Sequence, residues 1–105
     1  MIDNNVCVCL LKEEIQHKGF VQLKVHGNSM FPILKDGDIV TLRKNDEYHR
    51  GDIVSYFFIT DNRIKIIVHR IIFKRKDYVL TKGDNNNFID PLRVSYNQLI
   101  GIVEV

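Results

Sequence analysis

Branching at Cβ dominates this chain: it holds 14 Ile, 11 Val and 3 Thr in 105 residues, with no Ala and no Trp. Such side chains lose rotamer freedom against a helical turn and pack well on a pleated surface. A strand-rich fold follows, and the length suits one domain. The 15 basic residues exceed the 13 acidic ones by only two, giving a net charge of +2. That balance lacks the clustered basic face of a nucleic-acid binder. No apolar run reaches the ~18–20 residues that cross a bilayer. Met1 to Leu11 carries Asp3 and no basic residue before Lys12, so it is no secretory signal. Cys7 and Cys9 stand two apart with no distant partner, which implies reduced thiols and a cytoplasmic setting.

One segment escapes the strand rule. Cys7, Leu11 and Ile15 recur at helical spacing, with Val6 and Leu10 beside them and Lys12, Glu13 and Glu14 outward. This predicts a helix over 3–18, capped by Asp3, Asn4 or Asn5 and stopped by Gly19. From Phe20 the period becomes two: Val21, Leu23 and Val25 alternate with Gln22, Lys24 and His26. Further strands are expected at 38–43, 53–59, 63–73, 78–82 and 100–105, with one helical turn at 95–99. The segment 63–73 also fits a helical template, but its β-branched density favours a strand. Gly37-Asp38 and Gly51-Asp52 punctuate the strands, and Gly83 to Pro91 reads as loop. The expected architecture is mainly β: a small antiparallel β domain over 20–105 with an N-terminal α-helix, residues 1–19, packed on it.

Three segments carry chemistry. Gly27-Asn28-Ser29-Met30-Phe31-Pro32 sets a serine on a glycine-flanked turn. Val68-His69-Arg70 sets a histidine in an apolar strand. Thr81-Lys82-Gly83-Asp84-Asn85-Asn86-Asn87-Phe88-Ile89-Asp90 sets two carboxyls in a loop. A serine hydroxyl is a weak nucleophile until a neighbouring base takes its proton. Imidazole suits that task, and an acid then holds its tautomer. Taken one by one, these residues have plainer readings. Ser29 is a turn serine, His69 a core histidine among Lys65, Ile67 and Ile71, Asp84 a loop-stabilising Asx turn, and Asp90 before Pro91 a turn start. His17, His26 and His49 show no metal-ligand spacing with Cys7 and Cys9, so no zinc site and no cofactor are expected.

Together the segments resemble a known family. Gly27 to Pro32, followed by Leu34, Gly37-Asp38 and Val40, is similar to the nucleophile box of type I signal peptidases. Gly51-Asp52-Ile53-Val54 resembles their second Gly-Asp strand. His69-Arg70 stands where bacterial members carry Lys-Arg, which is similar to the endoplasmic-reticulum and archaeal-type branch. Thr81 to Asn86 resembles that branch's signature loop, with its second acid six residues on at Asp90. The resemblance spans roughly 20–105 and implies the fold shared by LexA and the signal peptidases. It implies Ser29 as nucleophile, His69 as general base and Asp90 as the acid orienting it, with Asp84 structural or sharing that task. It also implies an oxyanion site at the Ser29 N–H, worth roughly 3–4 kcal/mol of barrier, with Gly27 where many members place a Ser that aids the oxyanion. Met30 and Pro32 border the substrate, Met30 packing under the nucleophile turn.

The implied activity is that of a soluble serine endopeptidase cutting a precursor or leader peptide beside small residues, at an Ala-x-Ala-like site. The peptide would lie extended on a strand edge, handled in the cytoplasm or at a membrane or transporter partner. Against the family pattern, no transmembrane anchor ahead of the serine and no large extra β domain are expected from this sequence. Two rivals remain. A LexA-type regulator cuts its own Ala-Gly or Cys-Gly bond with a Ser-Lys pair, whereas this chain has no Ala, no Cys-Gly and His69 in the lysine's place. A non-catalytic peptide-binding module on the same fold is distinguished by geometry.

Overall fold

The structure is a computed structural model and describes residues 4–104, with side chains from Cys9 onward. It comprises α1 (Asn4–Lys18), β1 (Phe20–Lys24), β2 (Ile39–Arg43), β3 (Ile53–Thr60), β4 (Arg63–Lys74), β5 (Tyr78–Lys82), β6 (Val94–Ser95) and β7 (Leu99–Glu104), with a 3-10 turn at Tyr96–Gln98. The mainly β architecture expected from the branched composition is the one observed. All strands join one antiparallel sheet in the order β1-β2-β7-β3-β4-β5-β6.

The two faces of the sheet bury separate cores. Val25, Met30, Leu34, Val40, Leu42, Ile53 and Ile100 pack on one face with Ile15 of α1. Val54, Tyr56, Ile71, Val79, Val94 and Leu99 pack on the other. Strand alternation explains the division: Ile53 and Val68 fall to the first core, Val54, Tyr56 and Ile67 to the second. A bulge between Ser55 and Tyr56 shifts the pairing of β3 with β7, and another between Ile71 and Phe73 shifts β4 against β5.

The helix departs from its expected faces. Leu10 is exposed, while Lys12 lies half-buried over the Phe57 ring and donates from Nζ to the Asn97 carbonyl at 2.7 Å. The aliphatic stem of a lysine covers apolar surface while its head finds an acceptor. The proposed Asp3 cap and the Val6 and Cys7 side chains lie outside the described residues. β6 occupies two residues where the sequence shows no strand signal, held to β5 by Tyr78–Ser95 and Val79–Val94 pairing. Among the described residues, no helix is long and apolar enough to cross a membrane.

The two Gly-Asp motifs build the same turn twice. Asp38 Oδ2 accepts the Lys35 N–H at 2.8 Å, and Asp52 Oδ2 accepts the His49 N–H at 2.7 Å. Each aspartate N–H donates back to the carbonyl of that same residue. The reciprocal bonds close a tight turn immediately before β2 and β3.

The β3–β4 hairpin closes on Asp61-Asn62, both with positive φ, 49° and 61°. Two left-handed residues make the turn whose twist matches a hairpin, and Asn and Asp tolerate that region best after Gly. Asn62→Gly is expected to stabilise the fold by up to about 1 kcal/mol and Asn62→Val to destabilise it by about 1–2 kcal/mol. Urea midpoints at unchanged m-value measure both.

Candidate active site

Ser29 stands on the turn between β1 and β2, and its position is set by two loops gripping each other. Asn85 N–H donates to the Ser29 carbonyl at 2.8 Å, and Asn85 Nδ2 donates to the Asn28 carbonyl at 3.0 Å. Met30 is 2% exposed in the first core, and its Sδ accepts the Asp84 N–H at 3.3 Å. Gly83 makes the grip close enough. A Cβ there would lie 2.8 Å from the Ser29 carbonyl oxygen and 2.6 Å from Asn86 Nδ2, so only Gly fits.

His69 lies in β4, paired opposite Val54 of β3, with its ring directed to the second-core face. Its Nε2 is 3.1 Å from Ser29 Oγ and its Nδ1 is 2.5 Å from Asp90 Oδ2. A carboxylate only accepts, so the shared proton belongs to Nδ1. Nε2 then presents a lone pair to the serine hydroxyl, the tautomer a general base requires. The sequence places aliphatic side chains around this ring. The structure sets polar groups there as well, because the loop after β5 folds back and the serine turn reaches over the strand edge.

Asp90 is brought to the histidine by the loop leaving β5. Its N–H donates to the Thr81 carbonyl at 2.8 Å, folding residues 83–89 into an excursion that returns to its starting point. Its Oδ2 accepts from Thr81 Oγ1 at 2.7 Å and lies 3.2 Å from the Tyr56 hydroxyl. The Tyr56 oxygen is also 2.9 Å from Thr81 Oγ1. Since Thr81 spends its proton on the carboxylate, the Tyr56 proton is shared between Thr81 Oγ1 and Asp90 Oδ2. Burial, reinforced by the Asp90 charge, pushes the Tyr56 phenol well above its ordinary range, so it stays a donor. Sequence reasoning missed Tyr56 and Thr81 as partners of Asp90. Thr81 alternates inward in β5 and Tyr56 stands in a fully buried stretch of β3, and buried polar groups of this kind need a partner.

The other expected site residues fall elsewhere. Asp84 does not touch His69. It forms a bidentate pair with Arg70, Oδ1 to Nε at 2.9 Å and Oδ2 to Nη2 at 2.8 Å, while Arg70 Nη1 donates to the Gly51 carbonyl at 2.8 Å. The Arg70 hydrogen bonds hold the Asp84 carboxyl below the usual carboxylate range. Asp84 thus fastens the loop to the second Gly-Asp turn, in keeping with the structural one of its two expected roles. The Gly27 N–H donates to Asp36 Oδ1 at 2.7 Å, which commits it to the turn. Among the described residues nothing accepts the Ser29 N–H. Pro32 is exposed and lines neither cavity described next, while buried Met30 lines one of them.

Two cavities meet at His69. One, of about 340 Å³, runs between Leu23–His26 and Ile66–His69 and ends at Ser29 and Met30. The other, of about 270 Å³, lies behind the ring against Tyr56, Phe58 and Asp90.

The Peptidase S24-like family matches residues 4–104, nearly the whole chain. A search of curated proteins found no match to the chain.

Two outcomes follow from this geometry. Gly83→Ala is expected to push the Ser29 carbonyl aside, costing about 1–3 kcal/mol of stability, with a steeper loss of reactivity at Ser29 than of folded protein. Urea titration beside labelling by a serine-directed fluorophosphonate separates the two. Asp84→Asn is expected to cost about 1–3 kcal/mol at neutral pH, since it removes charge-assisted bonds. A carboxyl lowered on folding stabilises above its unfolded value near ~3.9, and that stability drains as pH falls through the lowered folded value. The two proteins' unfolding midpoints therefore converge on acidification below about pH 4.

Proposed function

The chain belongs to the Peptidase S24-like family, and on that premise we propose that it is a serine endopeptidase of the signal-peptidase type, in its Ser-His branch. The observation that carries the reading is His69 bridging Asp90 Oδ2 and Ser29 Oγ, at 2.5 and 3.1 Å. A histidine at this strand position replaces the lysine of self-cleaving relatives, and an Nδ1–H given to Asp90 leaves the neutral ring's Nε2 to accept a proton from Ser29.

Ser29 Oγ attacks the scissile carbonyl carbon as its proton passes to His69 Nε2. The carbonyl oxygen takes up the negative charge, and the unclaimed Ser29 N–H stabilises it. The intermediate collapses, the C–N bond breaks, and Nε2 returns the proton to the departing amine. A water molecule, deprotonated by Nε2 in the same way, then releases the acyl half from Ser29. Asp90 balances the imidazolium formed in both halves of the cycle.

The substrate is an extended precursor or leader peptide. On the side of β4 that faces Ser29, β5 pairs only from Arg70 onward, so residues 64–69 offer an open edge. β1 is the terminal strand of the sheet, and the 340 Å³ cavity runs between these two edges. A peptide added there gains backbone hydrogen bonds from both.

A quenched fluorescent Ala-x-Ala peptide tests the reading. Ser29→Ala and His69→Ala are each expected to lower kcat/KM by about 10³-fold or more with the fold retained. Full turnover in either removes that residue from the mechanism. The wild-type rate falls on acidification, because a protonated Nε2 has no lone pair for the serine proton. A rate that climbs only toward the lysine range near ~10 points instead to a lysine base. Loss of intact chain by a first-order process independent of protein concentration identifies self-cleavage, the activity of the LexA-type rival.

A further inference from the structure

The cavity behind His69 has no place in the chemistry just described, yet it opens beside the base. Phe58, Ile67, Leu92 and Val94 give it apolar walls, with Tyr56 contributing its ring. Its polar lining includes Asp90, whose Oδ2 is engaged by His69, Thr81 and Tyr56, Gln98, whose amide donates to the Phe57 carbonyl at 2.9 Å, and Arg93, whose guanidinium lies over the Tyr78 ring. The volume of about 270 Å³ exceeds the ~150 Å³ that admits a benzene ring. Leu92, at 58% exposed, stands at its mouth.

The sheet register connects this cavity to the cleft. By alternation Ile66 and Val68 of β4 fall to one face, Ile67 and His69 to the other, where Val54 and Tyr56 stand opposite them. A peptide strand laid on the open edge at 64–69 also alternates its side chains between the two faces. A residue whose carbonyl met Ser29 would turn its side chain toward Met30 and Val68, which line the cleft beside Ser29. The residue before it would then point to the opposite face, past Ile67 and His69. Residues after the cut have no such edge to follow, because β5 covers β4 from Arg70 onward.

Resting on the peptidase reading, we propose that this cavity is a specificity subsite. It takes a large apolar side chain, such as Leu or Phe, from the residue immediately before the one that supplies the scissile carbonyl. The preferred substrate is therefore small–large apolar–small, and the central position of the Ala-x-Ala motif is read.

Peptides Ala-x-Ala with x as Ala, Asp, Leu or Phe, extended identically on both sides, test this in two arms. In cleavage, Leu and Phe are expected to exceed Ala in kcat/KM by about ten- to a hundredfold, with Asp the poorest. Leu92→Asp lowers kcat/KM for the Leu and Phe peptides about tenfold more than for the Ala peptide. In binding, the Ser29→Ala protein holds the Leu and Phe peptides more tightly than the Ala peptide by a similar factor. Equal rates for every x, or a preference that follows the residue after the cut, overturn the subsite while leaving the peptidase reading intact. If nothing is cleaved but Ser29→Ala protein still binds Leu and Phe peptides selectively, the subsite stands and the peptidase reading falls. Neither cleavage nor selective binding overturns both.

Discussion

One carboxylate oxygen organises the site. Asp90 Oδ2 receives the His69 Nδ1–H and the Thr81 hydroxyl, and lies within reach of the Tyr56 hydroxyl. Each contact would be modest in water. In a half-buried setting an anion without donors is costly, so the three groups and the oxygen constrain one another. That constraint selects the histidine tautomer and aims Nε2 at Ser29. The serine is poised because an acid on the far side of the ring is satisfied. It owes little to its own local sequence.

The rest of the fold reads as support for that alignment. β3 supplies Tyr56, β4 His69 and β5 Thr81, three neighbouring antiparallel strands whose inward positions fall on one face. Ser29 arrives from another direction, across the strand edge, on a turn rooted in the opposite core by Met30 and Leu34. The loop from Gly83 to Asp90 joins the two halves. Asn85 holds the serine turn, Asp84 ties the loop to Arg70 and Gly51, and Asp90 closes on the base. Arg70 follows His69 directly in the strand, so its side chain emerges on the other face and anchors the loop from behind.

The same alternation shapes what surrounds the reacting atoms. Because the two faces of β4 bury different cores, an extended chain on its open edge meets two environments in turn. Ser29 and Met30 line the cleft on one, and an apolar recess behind His69 lies on the other. Both cavities and the orientation of the imidazole thus depend on one strand, and His69 borders both.

Much of this was written in the chain itself. Branched residues with period-two alternation determined every strand but β6, with extents nearly to the residue. The ambiguous run at 63–73 resolved as a strand because β-branched side chains pack on a pleat better than against a helical turn. Glycine, proline and aspartate placed the turns, and the resemblance carried by Ser29, His69 and Asp90 named the three groups that meet. Tertiary structure alone decided the remainder. Spacing along a strand does not say which loop folds over it, so Asp84 and Asp90 could not be told apart until Arg70 claimed the first. The Gly27 N–H had no assigned partner until Asp36 claimed it. Tyr56 and Thr81 lie 25 residues apart, and they became partners of Asp90 only through strand pairing. Local sequence governs backbone geometry because its forces act between near neighbours. Which distant polar groups share a proton depends on how the sheet closes.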